Sequence, residues 1–245
     1  MKRIDRGQKA APTASIRTTR RSGHLATIEE IPWITSTDPP ASAPRHSEIH
    51  LWSADLLLTQ ADESLLDASE RQRSLKMAPQ RRSEFTIGRT LLRRVLAHYL
   101  DLQPEKINIS IDSNGKPSLA SPQQQLHFSL AHSGHQLMIA FARSPVGLDL
   151  ETPRPVKNFL KIAERLFQPE EIWRLEAIAE HQRQQYFYHL WTTYEAAQKM
   201  HGEGLFGKRT AASYTGSFTL DDGTIGAVCI DGHSSAPVDV RCFAY

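Results

Sequence analysis

Cysteine is nearly missing from this sequence: Cys229 and Cys242 are the two in 245 residues. Neither has a companion at a metal-ligand spacing. Neither a zinc site nor a disulfide framework is therefore expected, and a reducing compartment, the cytoplasm, fits best. Long apolar runs are missing too. No stretch of about 18 apolar residues occurs, so no membrane span is expected. The chain also lacks a strong charge of either sign, its formal net charge being +2. Of its 29 Lys and Arg and 27 Asp and Glu, eight and four fall in residues 1–45, which leaves 21 and 23 in the rest. A body so near neutrality argues against a nucleic-acid partner. The composition is otherwise that of a globular protein, 40% hydrophobic and 23% charged, with a length that suits one large domain or two small ones.

Residues 1–45 lack any sustained apolar period. They are rich in Ser, Thr, Pro, Ala and Arg, as in TASIRTTRRSG and STDPPASAPRHS, and read as a disordered basic tail. Their basic start is not followed by an apolar segment, which disfavours a secretory signal, whereas an organellar transit peptide stays open. The short IPWI stretch is the part expected to dock on the body. Beyond the tail, Ile49–Trp52 reads as a strand and residues 61–100 as helical, with Phe85, Leu92 and Leu96 on one stripe. Asp112-Ser113-Asn114-Gly115 is a turn. Leu126–Leu130, Leu137–Ala142 and Val146–Glu151 read as strands. Residues 158–168 and 170–201 are helical by period, broken near Pro169. Short β-rich pieces close the chain. The order predicts an α+β protein, with residues 46–143 as an N-terminal subdomain and 144–245 as a C-terminal one.

Five pieces carry candidate chemistry. In Val146-Gly147-Leu148-Asp149-Leu150-Glu151, strand alternation sets Asp149 and Glu151 on one face with Gly147. Two carboxylates so placed repel each other unless a cation lies between them; a solvated polar face is the plain alternative. In Trp191-Thr192-Thr193-Tyr194-Glu195-Ala196-Ala197-Gln198-Lys199, helical spacing puts Trp191, Glu195 and Lys199 on one stripe. A surface Glu–Lys pair is its plain reading, but the tryptophan turns the stripe inward. In Phe128-Ser129-Leu130-Ala131-His132-Ser133-Gly134, the histidine at a strand end suits phosphate binding or proton transfer, or a purely structural hydrogen bond. Asn114-Gly115-Lys116-Pro117 offers a turn with a point charge. The arginines and lysines at 71, 73, 76, 81, 82, 89, 93 and 94 form a basic cluster whose default is a solvated helix face.

In this order, NGKP, FSLAHSG, VGLDLE, WTTYEAAQK and the closing His201-Gly202-Glu203-Gly204-Leu205 resemble the surfactin-type 4′-phosphopantetheinyl transferases. That family shows a (V/I)G(V/I)D(I/L)E strand followed about forty residues later by W(S/T)xxEAxxK. The resemblance covers residues 49–245 and is densest from 81 to 205. It implies two related α+β halves about a pseudo-twofold axis, with coenzyme A in the cleft between them. It implies Mg2+ held by Asp149, Glu151 and Glu195, with Glu195, Lys199 and His132 catalytic. Arg73, Lys76, Arg81, Arg89, Lys116, Pro117, His132 and Lys199 become coenzyme contacts, and Glu171 matches a further acid of some members. The implied activity moves phosphopantetheine to a serine of an acyl or peptidyl carrier protein, by a cytoplasmic monomer with no nucleic-acid or membrane partner. Its rivals are a binder of coenzyme A or carrier without catalysis, and a metal-dependent phosphohydrolase. Two positions depart from the family's pattern: Tyr194, where Lys is common, and Ala131, where Ser is common. Both are expected beside the coenzyme.

Overall fold

The structure, a computed structural model, describes residues 15–18, 33–34, 40, 42–121, 125–202, 214–231 and 238–245. In chain order these form β1 (Ser15–Thr18), β2 (Trp33–Ile34), β3 (Glu48–Asp55), α1 (Ala68–Leu75), α2 (Pro79–Leu100), β4 (Ile109–Ile111), β5 (Pro117–Leu119), β6 (His127–Ser133), β7 (Gln136–Ala142) and β8 (Val146–Glu151). They continue as α3 (Phe159–Leu166), α4 (Pro169–Ala177), α5 (Glu180–His201), β9 (Tyr214–Thr219), β10 (Ile225–Ile230) and β11 (Asp239–Ala244). The protein is mixed α+β, as the sequence order predicts.

Two helical stretches are more broken than their periods imply. Residues 61–100 divide because Pro79 sits at the first turn of α2 and holds Ala78 extended, at ψ 151°. The preceding α1 starts on a reciprocal cap, Asp67 accepting from Glu70 N–H while Glu70 accepts from Asp67 N–H. Pro169 opens α4 in the same way. A second break follows at Ile178 with no proline to cause it. There Arg183 donates to the Ile178 carbonyl at 3.1 Å and the Glu176 carbonyl at 2.7 Å, satisfying acceptors that the interrupted helix frees.

Two sheets stack face to face. One has the order β2-β11-β3-β7-β6, with β11 parallel to β2 and β3; the other is the antiparallel β1-β9-β10-β8. Between them lies a core of Ile49, Leu51, Met138, Ala140, Val146, Leu148, Leu150, Phe218 and Val228. The outer face of the first sheet carries α2 through Trp52, Ile139, Phe141, Leu91, Leu92 and Leu96. The outer face of the second carries α5 through Ala196, Met200, Ala227 and Cys229. β7 is thus buried on both faces, which accounts for its unbroken apolar run. β11 leaves the second half of the chain to pair with β3 in the first half's sheet. Trp33 and Ile34 of the IPWI stretch extend that sheet beside Cys242 and Phe243.

The basic cluster is not uniformly solvated. Arg93 is 1% exposed. Its guanidinium donates to Glu70 at 2.8 Å, Asp67 at 3.1 Å and the Ile107 carbonyl at 2.7 Å, tying α2 to α1 and to the chain after it. Removing Arg93 leaves the buried Glu70 carboxylate with Arg89 as its cationic partner and the Ile107 carbonyl without this donor. Arg93→Ala is expected to cost about 3–5 kcal/mol, read as a lower urea midpoint with an unchanged slope. A loss below about 1 kcal/mol would show that these contacts behave as surface pairs.

Candidate functional site

The face of β8 opposite the core points at α5. Because Val146, Leu148 and Leu150 fill the space between the sheets, Gly147, Asp149 and Glu151 must face the helix. At Gly147 the helix backbone comes so close that a Cβ would lie 1.8 Å from the Ala196 carbonyl oxygen. This contact sets the registration. It brings Glu195 and Lys199, one turn apart on α5, over Asp149 and Glu151. Carboxylate oxygens of Asp149, Glu151 and Glu195 all lie within 4.8 Å of one another, the one such acid group among the described residues. Lys199 Nζ donates to Asp149 Oδ1 at 2.6 Å.

The electrostatics follow from this crowding. Burial, and then the charge of Asp149, push the Glu195 carboxyl up to about 7. Burial also raises Asp149, opposed by the ammonium of Lys199. Glu151 is raised by burial and by Asp149, while a hydrogen bond from Trp191 favours its charged form. Asp149 is 3% exposed, and its Oδ2 is buried with no donor. An orphaned buried acceptor facing two further carboxylates fits a cation, and a donor set of oxygen alone fits a hard divalent one.

Beside the acids opens a cavity of about 320 Å³, near the lower end of the range for small-molecule sites. Asn114, Lys116, Pro117, Phe128, Leu130, Glu195 and Lys199 line it, so NGKP from the first half of the chain meets α5 from the second. Lys116 Nζ donates to the Met200 carbonyl at 2.8 Å, and burial lowers its pKa. Asn114 Nδ2 donates to the Gly202 carbonyl at 2.5 Å. Both groups cap the end of α5. Gly202, with φ of 72°, terminates it there. Gly204 lies outside the described residues.

The other singled-out residues fall in three places. His132 is exposed on β6, sharing by alternation the face of Phe128 and Leu130 that borders the cavity. Arg73, Lys76 and Arg81 are exposed around the α1–α2 junction, and none of them lines the cavity. Arg89 is buried, with Nε 3.2 Å from Glu70 and its guanidinium 5.3 Å from the Phe85 ring centre, which Arg73 also approaches at 5.7 Å. Its Nη1 has no hydrogen-bond partner. Glu171 accepts from Gln168 N–H at 2.9 Å in the cap of α4 and stands outside the acid group.

Both departures from the family's pattern face inward rather than toward the cavity. Tyr194 packs among the helices, 6.5 Å from Phe167 ring to ring. Ala131 belongs to the core between the sheets. The reason is periodicity: each adjoins a site residue in sequence, and in a strand or helix adjacent side chains diverge. Phe128 and Leu130, which sequence reasoning passed over as cavity residues, were legible in the same alternation.

Two family models match the chain and abut: the N-terminal 4′-phosphopantetheinyl transferase model over residues 52–144 and the 4′-phosphopantetheinyl transferase superfamily model over 145–231. The chain is 33% identical over 178 residues to the 4′-phosphopantetheinyl transferase HetI of Nostoc sp., covering 68% of this chain and 74% of HetI. It is 30% identical over 179 residues to Sfp of Bacillus subtilis, covering 65% and 78%, and 34% identical over 130 residues to AcpT of Escherichia coli, covering 52% and 63%. With adjoining family matches over residues 52–144 and 145–231, a 33% identical relative covered to 74%, and three acids converging between β8 and α5, this chain belongs to the 4′-phosphopantetheinyl transferase superfamily.

Proposed function

We propose that the protein transfers the 4′-phosphopantetheine arm of coenzyme A to a serine hydroxyl of an apo acyl or peptidyl carrier protein, releasing 3′,5′-ADP. What carries this reading is the meeting of Asp149, Glu151, Glu195 and Lys199 beside a cavity shared by both halves of the chain. Asp149, Glu151 and Glu195 are the residues that would hold Mg2+. When bound, the ion supplies positive charge to the pyrophosphate and to the charge that develops on it.

The chain's own groups account for the rest. Glu195, which borders the cavity, is placed to accept the serine proton directly or through a water. The serine oxygen bonds to the phosphorus nearer the pantetheine as the bond to 3′,5′-ADP breaks. Lys199 and His132 offset charge on the phosphate oxygens, and Lys116 and Pro117 shape the cavity wall. Arg73, Lys76, Arg81 and Arg89 are read as contacts for the nucleotide phosphates; Arg89 reaches that role only by sharing itself with Glu70. The division at 144 into two halves is supported by the helix that each lays on its own sheet. No described helix is long and apolar enough to cross a membrane. A monomer in the cytoplasm remains the reading for state and place.

Incubation with coenzyme A, Mg2+ and an apo carrier domain tests the reaction by mass spectrometry. The carrier is expected to gain one phosphopantetheine. Coenzyme breakdown with an unmodified carrier would favour a phosphohydrolase, and an unchanged mixture a binding protein.

Protonation of Glu195 gives a second check. Its folded pKa is raised above the usual 4.5, so the metal-free folded state binds more protons than the unfolded one between about 4.5 and about 7. This contribution to stability is therefore full below that window and is lost as pH rises through it. In chelator, Glu195→Gln is expected to gain on wild type in melting temperature from pH 4.5 to 7, with the gap level above that. Mg2+ should narrow the gap by stabilising wild type. A gap independent of pH rejects a carboxyl raised by burial and by Asp149 at Glu195.

A further inference from the structure

The two sheets end side by side without joining. β6 closes one sheet and β8 the other, and no ladder links them. Side chains take the ladder's place. Ser129 Oγ accepts from Leu148 N–H at 3.0 Å, and Ser133 Oγ accepts from Thr152 N–H at 2.7 Å. The spacing is four residues on each strand, about 13 Å at strand rise, so the two run parallel and matched. Ala131, between the serines and on their face, is small enough to admit the core there. Leu148 and Thr152 bracket Asp149 and Glu151. The amide between them, Leu150 N–H, favours the charged form of the Asp149 carboxylate.

We propose that Ser129 and Ser133 are positioning residues, whose hydroxyls fix the free edge of β8 against β6 and thereby place Asp149 and Glu151 for the cation. Three crowded carboxylates, one buried and two half-buried, repel. β10 holds β8 along one edge and α5 covers one face, so on the opposite, unpaired edge these hydroxyls are what resists the repulsion. Releasing the margin lets the free edge of β8 twist about its β10 ladder, spreading the acids while the hydrophobic layers stay in place. The role of the acids as Mg2+ ligands comes from the transferase reading above; the latch itself does not depend on it.

The test uses the full chain. In metal-free protein, Ser133→Ala is expected to speed hydrogen exchange at the Thr152 amide and to leave far-UV circular dichroism unchanged. By calorimetry it should weaken Mg2+ binding about two- to tenfold, the scale of one hydrogen bond. The Mg2+ half-saturation of carrier modification should rise in step, with kcat at saturating Mg2+ within about twofold of wild type. Ser133→Thr, which keeps the hydroxyl on a strand-compatible side chain, should restore both affinity and exchange. Ser129→Ala combined with Ser133→Ala should multiply the loss. Faster exchange with unaltered Mg2+ affinity overturns the proposal, since the serines are then merely structural. Unaltered exchange at Thr152 overturns it too. Variants that show the exchange and affinity pattern, beside a wild type that never modifies a carrier, sustain the latch and reject the transferase reading.

Discussion

Asp149→Asn is expected to lower carrier modification at saturating coenzyme A and Mg2+ by about a thousandfold, the scale of losing a principal electrostatic group. Its melting temperature should stay within a few degrees of wild type. The two expectations separate because Asp149 serves function at some cost to the metal-free fold. It is 3% exposed, its Oδ2 has no donor, and its charge is the second cause of the raised Glu195 carboxyl. Asparagine keeps the shape, removes the charge and brings an amide able to donate toward Glu195. In the metal-free protein Glu195 should then titrate lower, so the pH dependence of stability that it causes should move to lower pH. Lys199 keeps an acceptor in the amide oxygen but loses its charged partner, and its side chain, 38% exposed, can turn to water. Near-normal turnover at saturating Mg2+ would remove Asp149 from the metal site. A collapse of the fold would instead mean that the Asp149–Lys199 pair is structural.

What the sequence disclosed about this site was its local geometry. VGLDLE is a strand by alternation, and its bounds, Val146 and Glu151, are those of β8. The Trp191, Glu195, Lys199 stripe follows from 3.6 residues per turn, and the tryptophan correctly turned it inward: Trp191 meets Glu151 while Lys199 meets Asp149. Less legible was anything decided by what an element packs against. Arg89 and Arg93 have the same local pattern as Arg81 and Arg82, yet they lie on the turns of α2 pressed against α1, where Glu70 awaits them. Tyr194 and Ala131 were expected at the coenzyme because they adjoin site residues, although adjacency in a strand or helix turns a side chain away. β11 has an unremarkable local pattern; that it crosses into the other half's sheet depends on pairing with β3, nearly two hundred residues earlier in the chain. Such a partner leaves no trace in a local window. Pro79 was a missed signal of another kind. Proline after Ala78 marks a helix start, and continuing one helix through it overrode a local rule.

Gly147→Ala is expected to abolish the folded protein or cost upward of about 4 kcal/mol, and to do so through the site. A methyl group there would sit 1.8 Å from the Ala196 carbonyl oxygen, 2.5 Å from Met200 N and 2.9 Å from the Ala196 carbonyl carbon. All three are backbone atoms of α5, so no side-chain rotation relieves the contact. Either the helix lifts from β8 or the strand retreats into a core that Val146, Leu148 and Leu150 already fill. Lifting α5 carries Glu195 and Lys199 away from Asp149. Any folded remainder should therefore bind Mg2+ weakly and modify carrier at a small fraction of the wild-type rate. Gly88→Ala provides the contrast. Gly88 lies inside α2, where a Cβ would meet only Leu130 Cδ2 at 3.8 Å and Leu137 Cδ1 at 3.9 Å, ordinary contact distances. There the smaller backbone entropy of alanine should stabilise the protein by about 0.5–1 kcal/mol, with transfer unchanged. Urea unfolding of the two variants beside wild type decides the matter. A Gly147→Ala protein as stable and active as wild type would mean that α5 does not rest on β8 at this point, and the convergence of Glu195 with Asp149 and Glu151 would lose its physical cause.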